Sequence, residues 1–202
     1  MLIIKNIKNS CFNSCKKLTK VNFGRESQIE TIGNYAFSPT LIKSITIPSS
    51  VTVICSYAFS KCLQLEKVEI LHDSHLKTIE KCAFEYTQIQ SLLIPSSLIS
   101  IGDGAFNECK KLEHIEIQPN SKLETIGDSA FSSTLIKSIK IPSSVTLIGE
   151  SAFKKCSNLE QVEILHDSHL KTIEKYAFQY TKIQSILIPP SLISIGYGAF
   201  KE

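Results

Sequence analysis

Residues Ile148 to Ile164 read IGESAFKKCSNLEQVEI, and this stretch holds every feature that the rest of the chain repeats. It opens on Ile148-Gly149, passes through Ala152-Phe153, places Cys156 three residues further on and ends in Leu159-x-x-Val162-x-Ile164. The aromatic recurs as Phe12, Phe37, Phe59, Phe84, Phe106, Phe131, Phe153, Phe178 and Phe200, at intervals that alternate between 25 and 22 residues. A period of this length marks a solenoid, in which each turn supplies the apolar face its neighbour lacks. Residues 1–202 are therefore read as one array of about eight turns, with no clear cap at either end.

Each turn divides into three parts. In the long turns the first is Leu-x-x-Val-x-Ile, as in Leu65, Val68 and Ile70. In the short turns it is Ile-x-Ser-Ile-x-Ile, as in Ile136, Ile139 and Ile141. Apolar residues two apart with polar residues between them predict a half-buried strand. A turn follows: Pro48-Ser49-Ser50 or Pro142-Ser143-Ser144 in the short repeats, where proline cannot donate to a ladder and so ends the strand. In the long repeats this turn gains two residues, as in His72-Asp73-Ser74-His75 or Pro119-Asn120-Ser121-Lys122. A second apolar pair, Val51 and Ile54 or Leu76 and Ile79, then leads into the Ala-Phe segment, which is expected to form a short helical turn. A longer period lies above the shorter one: Val68–Lys81 and Val162–Lys175 are the same fourteen letters, VEILHDSHLKTIEK, offset by 94 residues.

The pattern I-G-x-x-A-F-x-x-C-x-x-L-x-x-V-x-I resembles the BspA-type leucine-rich repeat, also known from treponemal proteins, over about Ile4 to Phe200. That resemblance implies a β-rich α/β fold: a right-handed solenoid with a parallel sheet on one face and short helical turns. It also implies a surface-exposed protein that adheres to host proteins or cells. Two departures stand out. Proline follows the strand only in short turns, and Cys55, Glu80 and Glu174 replace the glycine of Ile-Gly.

Composition narrows the function further. Apolar residues make up 43% and charged residues 20%, with a net charge of +3 spread among interspersed lysines and acids. No concentrated basic stripe is present, so nucleic acid is not an expected partner. No apolar run approaches the roughly 18 residues that span a bilayer, so membrane insertion is not expected either. The N-terminal MLIIKNIKNSCF lacks a signal-peptide core, which leaves an intracellular location or an export signal outside this chain. No Gly-rich phosphate loop and no paired carboxylates flanking a cleft appear, so neither catalytic residues nor a cofactor site are expected.

Seven cysteines invite a disulfide or metal reading. Cys15, Cys62, Cys109 and Cys156 fall every 47 residues at one repeat position, which Thr40, Thr87, Thr134 and Thr181 fill in alternate turns. Strands about 4.8 Å apart place such cysteines roughly 10 Å from one another, too far for a disulfide. They are expected to be buried thiols lining the stack, whereas Cys11, Cys55 and Cys82 hold other positions open to solvent. His72-Asp73-Ser74-His75 and His166-Asp167-Ser168-His169 are read as turn chemistry rather than as a zinc site, because each loop offers too few ligands and the copies stand about 20 Å apart. The aligned loop Gly24-Arg25-Glu26-Ser27 shares only the acid and the serine.

The strand face is more informative. Its outward positions are expected to run in columns: Thr19 and Asn22, Lys43 and Thr46, Glu66 and Glu69, Gln90 and Leu93, Glu113 and Glu116, Lys137 and Lys140, Glu160 and Glu163, Gln184 and Leu187. The rows from Glu66 to Leu187 are the candidate partner-binding surface, with Lys137 and Lys140 paired to flanking acids and Leu93 and Leu187 as outward apolar spots. The expected function is non-enzymatic binding of a protein partner through this face, in the adhesive form the resemblance implies. An intracellular scaffold that docks an enzyme and a self-assembling structural element are the alternatives. The apolar edges of the first and last turns are expected to favour self-association.

Overall fold

The computed structural model describes residues 4–24 and 26–202. In chain order the strands are β1 (Asn6–Ile7), β2 (Thr31–Ile32), β3 (Ser44–Ile47), β4 (Val53–Ile54), β5 (Lys67–Ile70), β6 (Thr78–Ile79), β7 (Ser91–Ile94) and β8 (Ser100–Ile101). They continue as β9 (His114–Ile117), β10 (Thr125–Ile126), β11 (Ser138–Ile141), β12 (Leu147–Ile148), β13 (Gln161–Ile164), β14 (Thr172–Ile173) and β15 (Ser194–Ile195). All pairings are parallel, as the repeat requires.

The continuous sheet lies where the second apolar pair falls, not on the longer strands. The two-residue strands form one nine-stranded sheet, β1-β2-β4-β6-β8-β10-β12-β14-β15. Its register sets Ile7, Ile32, Ile54, Ile79, Ile101, Ile126, Ile148, Ile173 and Ile195 in one column, and Ile32 to Ile173 are buried. The four-residue strands pair only in twos, β3 with β5, β7 with β9 and β11 with β13. A single sheet along that face, as the repeat pattern suggests, is thus broken at every second step.

No helix forms among the described residues, and the expected helical turns are replaced by a third ladder. Around Phe153, the N–H groups of Ser151, Phe153 and Lys155 donate to the carbonyls of Lys175, Ala177 and Gln179 in the next turn, at 3.0, 2.7 and 2.8 Å. The intervening N–H groups of Ala152, Lys154 and Cys156 bond three residues back, to Gly149, Ser151 and Phe153. Ser151 and Lys155 take left-handed conformations, with φ of 57° and 60°, and a helix cannot continue through such residues. Tyr35, Tyr57, Cys82, Ser129 and Tyr176 repeat the first of these positions with φ between 51° and 60°. The ladder also runs opposite in sense to the sheet: Glu174 N–H donates backward to Ile148, whereas Phe153 N–H donates forward to Ala177.

Inside the coil the Phe rings form a single stack from Phe12 to Phe200, with neighbouring centroids 5.0–5.4 Å apart and planes within 11° of parallel. Near-parallel rings at that separation are offset, the arrangement that aromatic quadrupoles favour. Beside the stack runs the column of alternating Cys and Thr. Cys109 Sγ–H donates to the Phe84 carbonyl at 3.1 Å and lies 3.2 Å from Thr87 Oγ1, and Cys156 repeats both contacts on Phe131 and Thr134. Cys62, Cys109 and Cys156 are buried, while Cys15 is exposed. Of the three cysteines expected at solvent, Cys11 is exposed, Cys55 is intermediate and Cys82 is buried beneath Tyr57 and Gly104.

The Ile-Gly glycines have a steric cause. A Cβ on Gly127 would sit 2.8 Å from both the Asp103 nitrogen and the Gly102 carbonyl carbon of the preceding turn. Backbone atoms cannot retreat from that contact without spreading the turns. Gly127→Ala is expected to lower stability by about 1–3 kcal/mol, read from urea unfolding. No loss would mean that the turns accommodate a side chain here, as they do at Cys55 and Glu80, which hold the same place with the sheet register intact.

Candidate functional site

The four-residue strands carry the outward rows because their inward residues are fixed by burial. Ile45, Ile47, Val68, Ile70, Leu92, Ile94, Ile139, Ile141, Val162 and Ile164 all face the core. Pleating therefore turns the intervening residues outward. Glu66, Glu69, Gln90, Glu116, Lys137, Lys140, Glu160, Glu163 and Gln184 are exposed and Glu113 is half-exposed. The two apolar spots differ: Leu187 is 44% exposed, whereas Leu93 is half-buried.

Register brings these side chains together row by row. Lys137 Nζ meets Glu113 at 2.8 Å, and Lys140 Nζ meets Glu163 at 2.8 Å, so the two lysines reach in opposite directions along the coil. The hydrogen bond from Lys137, and then its charge, hold the Glu113 carboxyl below its ordinary range. Thr46 Oγ1–H donates to Glu69 at 2.9 Å. Lys111 approaches Glu66 at 3.8 Å. Among the described residues Glu116 and Glu160 make no ion pair. Exposed pairs of this kind contribute about 0.2–1 kcal/mol each. They order the face more than they stabilise it.

One column was not anticipated from the repeat pattern. Ser44, Lys67, Ser91, His114, Ser138 and Gln161 also point outward and lie in register, Ser44 opposite Lys67, Ser91 opposite His114 and Ser138 opposite Gln161. The signal was the second x of Leu-x-x-Val, which begins the strand and therefore belongs to its outer face. Lys67, His114 and Gln161 widen the candidate surface.

The histidine loops lie at the end of this face. Ser74 and Ser168 are buried and their Oγ atoms accept the N–H of Leu76 and Leu170 at 3.2 Å, which is turn closure. His75 Nδ1 lies 3.0 Å from the Ser49 carbonyl and His169 Nδ1 lies 2.9 Å from Ser143. Each ring so placed donates from Nδ1 and ties its long turn to the short turn before it. His72 Nδ1 lies 2.7 Å from Gln118 Nε2, and Gln118 Oε1 accepts the Ser96 N–H at 2.8 Å. The long loops thus reach across the short turn between them. No group of three or more His, Cys, Asp or Glu side chains gathers among the described residues to hold a metal. In the aligned loop, Arg25 lies outside the described residues.

The model of the BspA type leucine-rich repeat region matches residues 3–98 and 77–202, with six copies of the repeat. The chain belongs to the BspA-type leucine-rich-repeat family. No match was found among curated proteins. Solved structures give the same fold. A leucine-rich repeat protein from Bacteroides ovatus superposes with a TM-score of 0.66 at 27% identity, over 98% of this chain and 68% of that one. The pneumococcal vaccine antigen PcpA gives 0.62 at 22% identity, over 96% and 56%, and the T. pallidum leucine-rich repeat protein 0.60 at 23%, over 80% and 64%. This BspA-type chain therefore spans just over half of the pneumococcal antigen and about two thirds of the other two. No helix of the described residues is long and apolar enough to cross a membrane.

Proposed function

We propose that this chain is a non-enzymatic protein-binding module that engages its partner through the outward face of the four-residue strands. The form we favour is adhesion to a host or matrix protein. The observation that carries the reading is the set of exposed Glu, Lys and amide rows, held in register in pairs by the backbone ladders of β3 with β5, β7 with β9 and β11 with β13. A rigid support holds recognition groups in place before binding, so that little ordering entropy is lost on association. Charged rows of alternating sign give specificity and steering rather than raw affinity. Membership in the BspA-type family and the likeness to the Bacteroides ovatus repeat protein support a repeat module that works by surface contact.

Charge reversal tests this face. Lys137→Glu with Lys140→Glu should weaken binding to the protein captured from a panel of soluble matrix proteins by about ten-fold or more. The fold should lose little, because the pairs with Glu113 and Glu163 are both exposed to solvent. Reversal of Lys61 and Lys155, which are exposed on the Phe side of the coil, should leave binding within about two-fold. Equal effects from the two pairs, measured by surface plasmon resonance, would remove the strand face as the site.

A further inference from the structure

The outward rows of the strand face carry a charge order with a symmetry of its own. From β3 to β13 the rows are basic at Lys43, acidic at Glu66 and Glu69, and neutral at Gln90. They go on acidic at Glu113 and Glu116, basic at Lys137 and Lys140, and acidic at Glu160 and Glu163. Reversed end for end, this order sets every basic row against an acidic one. Its midpoint falls between β7 and β9, which share a ladder. Lys43 and Glu160, which the reversal brings together, are exposed and make no ion pair among the described residues.

The face is close to flat along the coil. Neighbouring turns advance by 5.0–5.4 Å at the Phe stack. Paired parallel strands lie about 4.8 Å apart, so the turns fan apart little from one side of the coil to the other. The seams between the strand pairs are closed by hydrogen bonds. At the seam between β9 and β11, Leu135 N–H donates to the Leu112 carbonyl at 3.0 Å and Thr146 N–H to the Glu124 carbonyl at 2.9 Å. Two such faces are therefore able to meet along all six four-residue strands.

We propose that the strand face pairs with the strand face of a second copy of this chain, antiparallel, about a two-fold axis that lies along the strands between β7 and β9. The inference rests on that face being a protein-binding surface, and it names one partner the face takes. Such an axis reverses the rows and keeps each column opposite itself. Lys43 then meets the partner's Glu160, Glu66 the partner's Lys137, and Glu69 the partner's Lys140, and symmetry makes each contact twice. Gln90 donates its amide to the partner's Glu113. In the middle column Ser44, Lys67 and Ser91 meet the partner's Gln161, Ser138 and His114, which sets no like charges together. Other registers do worse. A slip of one turn either way puts acid on acid, a slip of two halves the opposite-charge contacts, and a parallel arrangement puts each row on its own copy. An interface made of exposed charges gains specificity more than affinity, so the pair is weak and sensitive to salt. It yields to a matrix protein that uses the same rows, and until then it masks them.

Sedimentation equilibrium of the full chain measures the pairing. At about 25 mM salt the average mass should climb from one chain toward two as protein rises from about 10 μM to about 1 mM, and at about 0.5 M salt it should stay near one. Lys137→Glu with Lys140→Glu should be monomeric at low salt, because it sets acid on the partner's Glu66 and Glu69. Glu66→Lys with Glu69→Lys should be monomeric for the opposite reason. Both variants change only exposed side chains and should keep the native circular dichroism spectrum. An equimolar mixture of the two should recover the dimer, since each supplies the charge the other has lost. A native chain that stays monomeric at low salt, a dimer that survives either double reversal, or a mixture of folded variants that stays monomeric would each overturn the proposal. A monomeric native chain that still loses its captured matrix protein on Lys137→Glu with Lys140→Glu would overturn the pairing alone and leave the strand face standing. A dimer restored by mixing, in a chain that binds no matrix protein, would instead uphold the pairing and remove adhesion.

Discussion

Phe106→Ala should destabilise the chain by about 3–5 kcal/mol, the range for truncating a buried aromatic. Phe106 is fully buried, with its ring 5.3 Å from that of Phe84 and 5.4 Å from that of Phe131. The alanine variant leaves a void in the middle of a column, and the column cannot close over it. The turns are held at fixed spacing by ladders on both sides, Phe106 N–H on Ala130 at 2.8 Å and Gly127 N–H on Ile101 at 2.8 Å. A collapse that would relieve the void in a globular core is therefore blocked, which places the loss toward the upper end. In a solenoid the void also sits at both neighbour interfaces of one turn, so cooperativity should fall with stability. Phe106→Leu, which keeps apolar volume but breaks the ring stack, should cost less, about 1–1.5 kcal/mol. Urea unfolding followed by circular dichroism measures both. A loss below about 1 kcal/mol for the alanine variant would mean that the stack carries little of the stability.

The inside of the coil was legible because it is made of repeated one-residue decisions. Each Phe falls on one column and each second-pair isoleucine on another, and the 25/22 alternation already fixed which residues would stack. The Ala-Phe segment reads as helical in the sequence and forms no helix, for a definable reason. Ser151-Ala152-Phe153-Lys154-Lys155 has nothing in its own letters that forbids a helix. What decides against one is the carbonyl row of the following turn, which takes every second N–H and draws Ser151 and Lys155 into left-handed geometry. Such a preference belongs to the stack and not to the segment, so local pattern reading misses it.

The candidate face was legible in its residues and less so in its continuity. Glu66, Glu113, Lys137 and their neighbours were placed outward by strand alternation, and the lysine pairs with Glu113 and Glu163 follow from register. The seam between β9 and β11 could not be read, because Leu112-x-x-Ile115-x-Ile117 obeys the same pattern as Leu159-x-x-Val162-x-Ile164. Whether two identical patterns pair or part depends on the loops that join them. The long loop at Gln118 bonds across a short turn to His72 and to Ser96, toward the start of the chain and away from β11.

The buried thiols should make the protein labile to alkali and inert to alkylation. Burial pushes the Cys109 thiol up to about 12 and the Cys156 thiol up to about 11, against the Thr hydroxyls that pull each of them down. The unfolded chain releases these protons near pH 9, whereas the folded chain still holds them. Stability from this source is therefore complete below about pH 9 and is lost as pH rises through the folded values. At about 1.4 kcal/mol for each tenfold change in proton affinity, Cys109 alone should lose on the order of 4 kcal/mol between pH 9 and 12. Lysines and tyrosines titrate over the same range, so the comparison is with Cys109→Ala. That variant starts less stable, having lost the thiol's bond to Phe84, but its stability should fall less steeply above pH 9. Iodoacetamide at pH 8 supplies the second measurement. Exposed Cys11 and Cys15 should be modified first, and Cys62, Cys109 and Cys156 only at the rate at which the coil opens. Parallel stability curves for the variant and the native chain, together with rapid labelling of Cys109, would mean that the column of Cys and Thr breathes open, and that the stack does not seal its interior from water.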